Sequence, residues 1–171
     1  MDFMIRTWIS LVALSFAAPL SAQEGPDDGV NADMILALKG LQLLDHRLNA
    51  IGYRLVDANA PYCDEKAART GLLLNDVAQY VDQETARFAL GFDGSIGITA
   101  VAPDSPAELA KLSPGDTLLA INTMPVGEIA TDDPELSNQQ PVYRRVAAIN
   151  QLLEQALAED KVELTISQGG I

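Results

Sequence analysis

With 171 residues, 48% of them hydrophobic, the chain is long enough to bury one core of ordinary domain size, and one domain plus an appendage is the expectation. A formal net charge of −13 argues against nucleic acid as a partner, because holding a phosphate backbone takes clustered Lys and Arg. Anionic membrane surfaces are disfavoured for the same reason.

Residues 1–22 read as a secretory signal peptide, with Arg6 as the basic region, Trp8 to Ala18 as a short apolar run and Leu20-Ser21-Ala22 as a small-residue cleavage site. A single-helix membrane anchor is the competing reading. Pro19 and the abrupt polar change at Gln23-Glu24-Gly25-Pro26 favour removal, so no stable membrane anchor is expected after cleavage. Residues 23–30 bury almost nothing and are expected to be a flexible leader. An amphipathic helix then spans 31–60, capped by Asn31 or Asp33. Along it Met34, Leu38, Leu41, Leu44, Leu48, Ile51 and Leu55 recur at steps of three or four. That stripe is expected to pack on the following domain or on a neighbour. A coiled-coil dimer is the alternative, weakened by Gly40 and Gly52.

His46 is the one histidine and sits on the polar side of this helix. Its solitude removes zinc sites built on paired histidines and most Ser or Cys nucleophile chemistry, so no catalytic residue, metal site or cofactor is assigned. Cys63 has no partner in the chain. After a break at Ala58 to Tyr62, Arg69 to Asp76 reads as a strand opening at Gly71. Residues 77–93 hold a short helix near Gln83 to Phe88, then Phe88, Leu90 and Phe92 alternate as a brief strand.

The most specific stretch is 97–122. Gly97-Ile98-Thr99-Ala100-Val101 predicts a strand, Asp104 or Ser105 caps a helical turn with Pro106 at its first position, and Pro114-Gly115 turns the chain into Leu118-Leu119-Ala120-Ile121-Asn122. Gly127 to Pro141 reads as a mobile acidic loop. A helix over 142–158 carries Val142, Val146, Ile149, Leu153 and Ala156 or Leu157 on one face. Lys161 to Ser167 alternates as a strand, and Gln168-Gly169-Gly170 starts a hairpin whose returning strand does not follow.

The joint spacing of the strand, Asp104-Ser105-Pro106-Ala107, Leu112-Ser113-Pro114-Gly115-Asp116 and the second strand, followed by Pro125-Val126, resembles a bacterial PDZ domain of the kind carried by HtrA-type envelope proteases. The resemblance implies an α+β fold over 66–171, a partly open β-barrel or sandwich capped by two helices. It also implies a peptide groove between a strand and the 142–158 helix. The expected peptide-binding residues are Thr70, Gly71, Leu72, Leu73 and Leu74 on the strand side and Val146, Ile149 and Leu153 on the helix. Gly71 lets consecutive N–H groups face one carboxylate, although Thr70 stands where such loops usually place a large apolar residue. An ordinary strand beginning at a glycine and a rival carboxylate loop at Leu90-Gly91-Phe92 both stay open.

The helix-then-PDZ order, with Ile51-Gly52-Tyr53-Arg54-Leu55 and Asn59 to Cys63, is also similar to the N-terminal part of exported PDZ/HExxH zinc metallopeptidases, without their catalytic half. The resulting expectation is a non-catalytic periplasmic or secreted module for extended peptides or protein C-termini, with an envelope protease as a further partner. A regulatory fragment of a metallopeptidase and a helix-mediated structural or dimerisation unit are the alternatives.

Overall fold

The computed structural model describes residues 31–64, 69–159 and 161–169. The signal-peptide and leader readings lie outside them. The fold is α+β, an open, partly curled antiparallel sheet capped by helices and preceded by one long helix. That helix, α1, runs from Ala32 to Asn59, and the Asn31 side chain accepts from the Met34 N–H at 3.0 Å.

Strand β1, Leu72–Asp76, ends where the Asp76 carboxylate accepts the Ala78 N–H and opens a single 3-10 turn. Helix α2 spans Gln83–Leu90. Asp82 caps it, taking the Thr85 N–H at 2.9 Å and its hydroxyl at 2.6 Å, and these two bonds hold the exposed Asp82 carboxyl below its ordinary range. The Thr85 oxygen also accepts the Asn31 N–H, so the start of α1 is tied to the start of α2.

The alternating Phe88, Leu90 and Phe92 do not make a strand. Phe88 and Leu90 belong to α2, and Gly91, at φ 76°, closes the helix. The N–H groups of both Gly91 and Phe92 donate to the Arg87 carbonyl, at 2.9 and 3.0 Å. Helix-cap chemistry therefore wins over alternation, and the rival loop has no amides left for a carboxylate.

The signature stretch folds in the expected order. It gives β2, Ile96–Val101; a short helix α3, Pro106–Leu109, capped by Ser105 rather than Asp104; and β3, Thr117–Ile121. Strand β4, Met124–Pro125, and β5, Leu164–Ser167, both pair antiparallel with β3. Strand β1 pairs antiparallel with β2, with Thr99 bulged between the Leu73–Ala100 and Leu74–Ile98 pairs.

Residues 127–140 are more tightly held than a mobile loop. They contain a 3-10 turn at Pro134–Leu136, and Leu136 is buried near the following helix α4, Pro141–Ala158. One apolar side chain in an acidic segment is enough to dock it.

The main core joins Leu74, Ile96, Ile98, Leu118, Ile121, Ile149 and Leu153, so α4 packs against the sheet. A second cluster holds Leu38 of α1 to Val77, Ala86, Ala89, Leu90 and Phe92. This is where the structure departs most from the sequence. Only Leu38 of the predicted stripe is buried and Met34 is partly covered, while Leu41, Leu44, Leu48, Ile51 and Leu55 face outward. The helix meets the domain with a neighbouring face that carries Ile35, Leu38, Gln42, Asp45, Asn49 and Tyr53.

Candidate functional site

Strand β1 stands at one end of the sheet, and among the described residues no strand pairs with its second edge. An edge of this kind exposes backbone groups that an extended chain can pair with. Beside it runs α4, joined to the far end of β1 by an ion pair 3.3 Å long between Arg145 and the buried Asp76. At the near end lies a cavity of about 280 Å³ lined from three directions: Thr70, Gly71 and Leu72 at the head of β1; Asn150, Leu153, Glu154 and Leu157 on α4; Asn49, Gly52, Tyr53 and Val56 on α1.

The head of β1 is shaped by its own polar groups. Gly71 adopts φ 80° and is buried. Its carbonyl accepts the Ala102 N–H at 2.8 Å and the Asn49 side-chain amide at 2.9 Å. The Thr70 carbonyl accepts the Ala107 N–H at 3.0 Å, fixing the loop to α3. The Thr70 hydroxyl oxygen accepts the Leu72 N–H at 3.1 Å, which leaves its own proton free to donate. Among the described residues the Gly71 N–H has no acceptor.

Arg69, just before this loop, also lines the cavity. Its guanidinium donates to the Tyr53 carbonyl at 3.1 Å, stacks 4.9 Å from the Tyr53 ring centre and pairs loosely with Asp57 at 3.5 Å. The loop therefore offers three donors, an N–H without an acceptor among the described residues, a free hydroxyl proton and the Arg69 guanidinium, with the carboxylates of Asp57 and Glu154 nearby. An anion fits such a set.

The sequence-assigned residues fall in different places. Thr70, Gly71, Leu72 and Leu153 line the cavity together. Leu74 and Ile149 are core residues, 3% and 0% exposed, and Val146 is half-buried against the same core. Leu73 is half-buried, and its carbonyl accepts the Thr99 hydroxyl. Sequence reasoning missed Arg69, Asn49 and Tyr53, and it named Leu157 only as an alternative to Ala156 on the groove helix. Leu157 was visible as one turn beyond Leu153 on the same helical face, whereas nothing local in the sequence connects Asn49 with Gly71.

Residues 97–137 match the family model described as PDZ domain. The chain carries a PDZ region. No curated protein and no solved structure matches the chain. The matched PDZ residues begin within β2 and end before α4, so β1 and both helical walls of the cavity are supplied by chain outside the match. Among the described residues, no group of three or more His, Cys, Asp or Glu side chains is placed to hold a metal ion. None of the described helices is long and apolar enough to cross a membrane. His46 is exposed, and so is the free Cys63.

Proposed function

We propose that the chain is a non-catalytic PDZ module that captures extended peptides or protein C-termini by adding them as a strand along the free edge of β1. The observation that carries this reading is the Gly71 N–H, which has no acceptor among the described residues and stands at the head of an edge strand. A peptide antiparallel to β1 runs its C-terminus toward that N–H, where the Thr70 hydroxyl and Arg69 add further donors. Its side chains then meet Leu72, Leu153 and Leu157 on one side and the α1 wall on the other.

The test compares one peptide in free-acid and amidated forms by calorimetry. The acid is expected to bind about tenfold tighter, a difference of about 1.4 kcal/mol. Equal affinities refute terminal-carboxylate capture and leave internal segments as the ligand.

We also propose export, on the strength of Arg6, the apolar run to Ala18 and Leu20-Ser21-Ala22. Protein recovered from the periplasm or the medium is expected to begin at Gln23. A retained Met1 there contradicts cleavage.

A further inference from the structure

Helix α1 turns one face to the domain and leaves its most apolar face bare. Leu41, Leu44, Leu48, Ile51 and Leu55 are between 49% and 70% exposed, and they recur at steps of three and four, the spacing of a two-helix seam. Leu36 and Leu43 beside them are 75% and 68% exposed. Gly40 adds a second oddity. A glycine inside a helix weakens it by about 1 kcal/mol relative to alanine, yet a Cβ at Gly40 would meet nothing within 4 Å, so the protomer gives no reason for it.

We infer that the stripe pairs with the same stripe of a second copy, lying antiparallel. In one register the layers from Met34 to Ile51 are all apolar: Met34 of each copy faces Ile51 of the other, Ala37 faces Leu48, and Leu41 faces Leu44, while Leu55 lies beyond the last of these layers. Ala37 opposite Leu48 sets a small residue against a large one, and the other layers pair side chains of similar size. The same register sets Asp33 of each copy beside Arg54 of the other along the flank, and Gly40 beside Arg47, where the missing side chain makes room. A parallel pair instead sets Arg47 and Arg54 against Gly52 and Asn59, with no charge matched. The antiparallel order is the charge-complementary one.

Charge also favours a second copy at this face over any other. Within α1, Lys39, Arg47 and Arg54 balance Asp33, Asp45 and Asp57, while the whole chain carries −13, so copies meeting elsewhere repel. Leu41, Leu44, Leu48 and Ile51 leave on the order of 100 Å² each uncovered, so pairing takes roughly 400–500 Å² from each chain, a small interface beside the ~800 Å² per partner of a standard one and suited to a reversible equilibrium. The dimer presents two peptide grooves on one particle, which strengthens capture of paired or repeated ligands.

The test is sedimentation equilibrium of the purified protein over a concentration series. The expected result is a monomer–dimer equilibrium that Leu44→Glu with Leu48→Glu abolishes, with the circular dichroism unchanged and the melting temperature equal to that of the unaltered protein at concentrations where the latter is monomeric, since both residues are exposed in the protomer. Asp33→Arg or Arg54→Asp alone is expected to weaken the dimer several-fold, and the two together to restore it. Cys63 supplies an independent readout. In the antiparallel pair the two thiols sit at opposite ends, roughly 50 Å apart at 1.5 Å per helical residue, so mild oxidation does not cross-link the dimer. A monomer at every concentration overturns the inference, as does a dimer that survives the double glutamate variant. A Cys63–Cys63 cross-link within the dimer, or a charge swap that fails to restore it, overturns the antiparallel register.

Discussion

Gly71→Val is expected to cost on the order of 3 kcal/mol of stability or more, because it combines a forced left-handed backbone with overpacking of a buried site. The φ of Gly71 is 80°, and an added Cβ runs into the Cβ and Oγ of Ser105. Ser105 cannot yield cheaply, since it is fully buried and its Oγ caps α3. For a domain of this size the loss appears as a fall in melting temperature of roughly 10 °C or more. Ser105→Gly in the same background removes the clash but not the backbone strain, so it is expected to restore only part. An unchanged melting curve for Gly71→Val contradicts this packing. The consequence for function is direct: a loss of peptide binding by Gly71→Val reads folding, and the acid–amide comparison is the cleaner probe of carboxylate capture.

The signature stretch was legible because its information is local. Ser105 and Pro106 start a helical turn and Gly115 takes φ 98°, so each punctuation residue dictates its own backbone, whatever packs around it. Helix α1 was legible as a helix that packs on the domain, and the face it packs with was misread. Periodicity reports which face is apolar, not which face is covered. Its orientation is set by contacts invisible to any pattern: the Asn31–Thr85 bond, the burial of Leu38 among Val77, Ala89 and Phe92, and the bond from Asn49 to Gly71. The alternation of Phe88, Leu90 and Phe92 misled for a different reason, since three residues fit both a strand and the end of a capped helix. Asp82 and Gly91 decide between them. The cavity was half legible. The head of β1 and Leu153 were readable from the PDZ resemblance, but the α1 wall joins residues about twenty positions apart through Arg69 and Asn49.

The α4 face separates core from wall, and two substitutions tell them apart. Ile149 is fully buried among Leu74, Ile96, Ile98 and Leu153, so Ile149→Ala removes packed methyl groups and leaves a cavity, at an expected cost of about 2–5 kcal/mol. Leu157, two turns further on, is only half-buried and lines the space beside Thr70, Gly71 and Leu72. Leu157→Ala is therefore expected to cost about 1 kcal/mol or less in stability, with urea midpoints nearly unchanged, while peptide affinity falls about three- to tenfold through lost apolar contact. Urea unfolding and calorimetry on both variants check the pair. If Ile149→Ala leaves the midpoint in place and weakens peptide binding instead, Ile149 belongs to the groove and not to the core. If Leu157→Ala alters neither quantity, the peptide does not run between β1 and α4 at this end, and the Gly71 N–H serves some other anion.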